Sequence, residues 1–365
     1  MEVADCTLIP DNFHKIRARW RMGDFGEIRF PEVRVRAQGG AMLGVGSQLM
    51  PMEYSSSFKG LVSAYLYDEI GHKFFTNQAK LPFLKRHPLS QWHTLISKSE
   101  SEIHNPPPEK RIAAELLWNY LGYHLYLLKE NSTLPAEIIS RLSHRDQFQG
   151  ARYELFAAAV MVCAGYDIDW IHNSNDGKKV EFIATNSRTR TVFAVEAKSK
   201  HQEGILGFKE AENPKDIERL ALRNLITKAI KKNPSQPLLV FVEANVPFVA
   251  NEISEDLSND ISRTWNNINR GMVPEGFPCV GLIITNDTAI WQPGESIARG
   301  KGYPNWAVNF SGSNRFEIDG DEEVMRIKNS IALACRFPDL QWYNPLFTDE
   351  AINAHAKIVR RRYRD

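Results

Sequence analysis

Cysteine is scarce in this chain and badly placed for cross-linking. Cys6, Cys163, Cys279 and Cys335 are its four. They are widely scattered and form no CxxC pair, which argues against a disulfide framework and a thiolate zinc site. Cys163 falls in an apolar helical run and Cys279 opens an apolar strand, so both read as buried free thiols. Ten histidines show no HExxH or HxH spacing, which argues against zinc. No apolar run approaches the ~20 residues needed to cross a bilayer, so no membrane partner is expected. The opening stretch, MEVADCTLIPDNFHK, holds acidic residues and no apolar core. A secretory signal is therefore not expected, and the expected setting is a reducing, cytoplasmic one. Nor is there an excess of charge: 45 Lys and Arg against 44 Asp and Glu give a net charge of +1, so any nucleic-acid surface has to be a local patch. Repeats and low-complexity segments are missing as well. The glycine-rich 39–52 carries neither a phosphate-loop lysine nor GxGxxG spacing, which leaves it as a connecting loop.

What is present suits a folded, two-part protein. The 365 residues are 43% hydrophobic and 24% charged, ordinary values for a chain with substantial cores. Residues 15–22, KIRARWRM, alternate basic and apolar side chains, so they predict a strand with a basic face; 27–30 and 33–37 continue a small antiparallel sheet. From residue 55 the apolar period turns helical, with Phe58, Leu61, Val62, Tyr65 and Leu66 at spacings of three and four. A short helix is expected within 84–96. Three prolines, Pro106 to Pro108, mark the clearest internal break. A long helix over 109–130 and a shorter one over 134–143 follow.

The chemistry concentrates in residues 152–200. An apolar run over 155–164, with Glu154 at its mouth, ends at Gly165, as a helix does. Residues 179–185, KVEFIAT, read as a short strand holding Glu181. After a polar turn, 192–200, VFAVEAKSK, reads as a strand apolar on both faces until Glu196 and Lys198. Those two side chains are two apart on a strand and share a face. Glu181 belongs on the neighbouring strand of a hairpin, and Glu154 on a helix that packs on the sheet. Three carboxylates and a lysine thus converge. Crowded carboxylates repel unless a cation lies between them. Oxygen ligands of this kind suit Mg²⁺ or Mn²⁺, and such a metal suits phosphodiester hydrolysis. Glu154 at a helix start would equally complement the helix dipole.

Glu181 followed by Glu196-Ala197-Lys198 resembles the D…(D/E)xK signature of the PD-(D/E)xK nuclease superfamily, over roughly residues 148–290. The preceding helix with its glutamate, Glu154, is also similar to members of that family. The resemblance implies a restriction-endonuclease-like α/β fold, a mixed sheet flanked by helices. It implies that Glu181 and Glu196 hold the metal, that the Ala197 carbonyl joins its shell, and that Lys198 positions or activates the attacking water. Glu154 would be a further ligand or a water-orienting group. One departure is that Glu181 stands where the family usually has aspartate. The longer side chain still reaches a metal; the same substitution is what a degenerate, inactive site would carry.

The remaining chain fits that frame. A helix over 216–232 carries Arg219, Arg223 and Lys228 on one face, candidates for phosphate contacts together with Arg152; a solvated face is the other reading of that helix. Strands are expected over 237–244 and 280–285, and helices over 252–269 and 322–335. The expected domains are an N-terminal α+β accessory region, 1–145, a nuclease domain, 146–340, and a basic tail, 341–365. The expected function is Mg²⁺-dependent hydrolysis of DNA, in defence or DNA processing by resemblance, and a homodimer is compatible with it. The alternative is an inactive nuclease fold serving as a nucleic-acid or protein binding module.

Overall fold

The computed structural model describes residues 33–36, 40–45, 48–52, 58–97, 108–171, 179–186, 189–199, 222–232, 234–245, 259, 262–263, 266, 279–286, 305–309 and 320–334. The expected strands over 15–22 and 27–30 and the basic tail 341–365 lie outside the described residues.

A three-stranded antiparallel sheet comes first: β1 (Val33–Arg36), β2 (Gly40–Val45) and β3 (Gln48–Met52), in that order. This corrects the expected connecting loop over 39–52. The glycines there open and interrupt a hairpin whose register closes at Val45↔Gln48. Pro51 lies in β3, at the edge of the three strands described, where proline is tolerated best.

Six α-helices follow among the described residues: α1 (Phe58–Ile70), α2 (His72–Ala79), α3 (Pro88–Ile96), α4 (Pro108–Asn131), α5 (Ala136–Leu142) and α6 (Phe148–Cys163). Gly71, at φ +89°, makes the turn between α1 and α2 in a conformation that penalises any side chain. His87 caps α3, its ring Nδ1 accepting from the Leu89 N–H at 3.2 Å, and Pro88 opens that helix. Pro108 likewise opens α4, where its missing N–H belongs to the unpaired first turn. Helix α6 is buried along almost its whole length. It lies between α4 and the central sheet, which explains its nearly continuous apolar sequence.

The central sheet runs β4 (Asp167–Trp170), β5 (Phe182–Thr185), β6 (Val192–Ser199), β7 (Leu238–Glu243), β8 (Cys279–Thr285) and β9 (Asn305–Asn309), its spatial order matching the chain order. β4, β5 and β6 pair antiparallel, β6, β7 and β8 parallel, and β8 with β9 antiparallel. Helix α7 (Leu222–Ile230) lies in the β6–β7 crossover, and α8 (Gly320–Ala334) packs on β9, β8 and α6. The molecule is thus an α/β protein built on a mixed sheet. Of the helix expected over 252–269, residues 259, 262, 263 and 266 are described, all helical. No described helix is long and apolar enough to cross a membrane.

One buried cluster runs from Val62 in α1 to Ala334 in α8, taking in Phe193, Val195 and Ala197 of β6 and Phe241 of β7. The boundary expected at 145/146 therefore marks no break in the core, because α1 and α4 pack into the same cluster as α6. On the opposite face, by strand alternation, lie Ala194, Glu196 and Val240, buried together with Ile226 and Ala229 of α7.

Helices α1 and α4 touch at Gly122, where a β-carbon would stand 2.4 Å from the carbonyl oxygen of Val62. Gly122→Ala should therefore force the helices apart and cost about 1–3 kcal/mol. Urea unfolding measures it; an unchanged midpoint would mean that the helices have slack there.

Candidate active site at the carboxyl end of strand β6

The strand register builds the site. Phe182 pairs with Val195, and the Glu181 N–H donates to the Val195 carbonyl at 3.0 Å. Glu181, just before β5, and Glu196 of β6 are the next residues outward, and both reach the same two lysines. Ala197 pairs with Phe241 and is buried on the far face. Lys198 returns to the Glu196 face.

Glu196 has no exposed side-chain surface and contacts two ammonium groups. One is Lys198 Nζ, which also reaches Glu181 Oε1 at 3.5 Å. The other is Lys232 Nζ, 2.7 Å from Glu196 Oε1, 2.8 Å from Oε2 and 3.7 Å from Glu181 Oε1. Two carboxylates thus interleave with two lysines. Burial raises the carboxyl of Glu196 above the ordinary range, and repulsion from Glu181 adds to it, against the pull of Lys198 and Lys232. For Lys198, burial works to lower the ammonium's pKa, but the attraction of Glu196 and Glu181 wins and raises it.

Lys232 escapes a reading of the sequence, in which the helix preceding β7 appears as a free basic face. It sits just past α7, where the Lys232 N–H donates to the Ala229 carbonyl and the chain turns toward β7. No periodic pattern marks it, because it lies past the helix and before the strand. Lys228, a phosphate-contact candidate on the same helix, is exposed. The side chain of Arg223 and all of Arg219 lie outside the described residues.

Glu154 is not at a helix start, because α6 begins six residues earlier, at Phe148. It is buried, and its two oxygens accept from Arg141 of α5 at 2.6 and 2.7 Å. Burial nevertheless pushes its carboxyl up to about 7, outweighing the Arg141 pairing; repulsion from Glu181 contributes and attraction to Lys198 opposes. So Glu154 borders the Glu181–Glu196 pair with its oxygens already engaged. Among the described residues, no group of three or more His, Cys, Asp or Glu is placed to hold a metal ion.

Arg152 corrects another expectation. It is buried and forms an ion pair with Glu243 at the end of β7, so it is no surface contact for phosphate. Glu243 Oε2 accepts from Ser199 Oγ at 2.6 Å and from Asn245 Nδ2 at 3.2 Å. Next along α6, the Tyr153 hydroxyl bonds Thr285 Oγ1 at 2.8 Å. These partners close the carboxyl ends of the three parallel strands, the end at which open α/β sheets carry their ligands. The site beside them can bind a cation through its carboxylates and an anion through its lysines.

Neither a protein-family model, a curated protein nor a solved structure matches this chain.

The raised carboxyl of Glu154 carries a sign. The folded protein holds this proton more tightly than the unfolded chain, so the group's contribution to stability falls as pH rises from 4.5 toward 7. In Glu154→Gln that contribution is gone. The stability difference between variant and wild type should therefore move in the variant's favour across this window, as read by urea unfolding at several pH values. A difference independent of pH would show that Glu154 is ionised throughout.

Proposed function

We propose that this chain is a metal-dependent nuclease of the restriction-endonuclease-like fold, hydrolysing phosphodiester bonds of DNA. The observation that carries this reading is Glu181 and Glu196 brought to one lysine, Lys198, toward the end of a strand buried on both sides. The donor chemistry fits a hard divalent cation. Glu196 Oε1 is buried and in contact with both ammonium groups, yet receives no hydrogen bond of good geometry from either. Glu181 and Glu196 would hold Mg²⁺ or Mn²⁺, with the Ala197 carbonyl beside them. Bound there, the cation would polarise the phosphodiester and lower the pKa of a water.

The chain's own groups do the rest. Lys198, held between the two carboxylates, positions the attacking water or offsets negative charge building on the phosphoryl oxygens. Water adds to phosphorus, one P–O ester bond breaks, and the water's proton passes to the medium or to the departing alkoxide. Glu154, its oxygens turned to Arg141, supports the site's field from its edge. DNA is the proposed partner. A second reading has an observation in its favour: two lysines already neutralise two carboxylates, so the cluster is satisfied without a cation, as an inactive binding module of the same fold would need.

Nicking of supercoiled plasmid with Mg²⁺, Mn²⁺ or EDTA separates the two. Glu196→Gln should cut nothing while keeping the wild-type circular dichroism spectrum. Lys198→Ala should lose roughly a hundredfold in rate, the scale of one lost transition-state donor, with DNA binding retained. Wild-type cutting by Glu196→Gln would overturn the assignment; a wild-type protein that binds DNA and never nicks it would establish the binding module.

A further inference from the structure

Lys232 stands where a cation shared by Glu181 and Glu196 has to sit. Its ammonium nitrogen spans both oxygens of Glu196, at 2.7 and 2.8 Å, and lies 3.7 Å from Glu181. With Lys198 it balances the two carboxylates charge for charge. A divalent cation added to that arrangement gives a net charge of +2 around a buried carboxylate, with like charges at ion-pair range of one another. One ammonium therefore has to leave. The backbone of Lys198 is held in β6, paired with β7, two residues from Glu196 on the same face. Lys232 is on the turn after α7, outside the sheet's hydrogen-bonded ladder, at the end of a flexible four-carbon stem.

We propose that Lys232 is a displaceable counter-ion. It occupies the cation's seat on Glu196 in the metal-free protein, yields it to Mg²⁺ or Mn²⁺, and then turns its ammonium to the substrate's phosphodiester oxygens. Cation and nucleic acid consequently bind cooperatively: the cation frees a phosphate ligand, and the phosphate stabilises the displaced lysine. The same lysine keeps Glu196 compensated when no cation is bound, which a buried lone carboxylate requires. This rests on Glu181 and Glu196 being the cation's ligands.

Free Mn²⁺, followed by electron paramagnetic resonance, tests both layers without any turnover. Wild type and Lys232→Met are titrated alone and with a short phosphorothioate DNA duplex, which resists cleavage. The neutral, similarly shaped methionine should raise Mn²⁺ affinity about tenfold in the protein alone, and the duplex should tighten Mn²⁺ binding in wild type much more than in the variant. Equal or weaker Mn²⁺ binding by the variant, with wild type binding, would overturn the role of Lys232 and leave the nuclease reading intact. Absence of Mn²⁺ binding in both proteins, with and without duplex, would overturn the nuclease reading and this proposal with it. Should Lys232→Met fail to fold, wild type alone decides. Acetylation of Lys232 by an N-hydroxysuccinimide ester, followed by peptide mass spectrometry, should be slow in EDTA and several-fold faster in saturating Mn²⁺. An unchanged rate would overturn the displacement.

Discussion

Glu196 is a carboxylate with no exposed surface, on a strand covered on both faces. Taking such a group out of water is costly unless opposite charge comes with it. Much of the surrounding architecture meets that one requirement. Lys198 supplies an ammonium from two residues along the same strand. The β6–β7 crossover delivers a second, Lys232, from the turn after α7. Glu181, just before the facing strand β5, shares both. The cluster balances two carboxylates with two ammonium groups around the buried Glu196, so an added ion must rearrange its charges.

Helix α6 fixes the rim of this cluster. Its consecutive residues Arg152, Tyr153 and Glu154 reach Glu243 of β7, Thr285 of β8 and Arg141 of α5. Three successive helical residues point in widely different directions, so the helix is pinned to two strands and to another helix at once. The three ties differ in kind: a buried ion pair, a hydroxyl pair and a two-pronged guanidinium–carboxylate pair, whose geometry sets orientation as well as distance. The first two lie at the carboxyl ends of β7 and β8, and the third lies within electrostatic reach of Glu181 and Lys198. The same contacts that close the core there thus set the edge of the candidate active site.

What the sequence by itself determined is whatever local periodicity encodes. The apolar alternation of 192–198 marked β6 as a two-sided buried strand, and its abrupt end in Glu196 and Lys198 marked the chemistry. The continuous apolar run after Glu154 marked α6, and the spacing of apolar residues marked α4. Burial writes such patterns because each residue's face follows from its position along its own element. The glycine-rich hairpin of β2 and β3 escaped, since its pairing rests on cross-strand register while its composition is that of a loop.

Tertiary structure alone decided the partners of Arg152, Glu154 and Lys232. Arg152 looked like a surface cation until the fold set it against Glu243, 91 residues away. Glu154 looked like a third ligand until α5 brought Arg141 to both of its oxygens. Lys232 carried no mark at all; the crossover sets it on Glu196, 36 residues earlier in the chain. An ion pair leaves no periodic trace in either of its partners, because its energy depends on a distance that exists only after the chain has closed the loop between them.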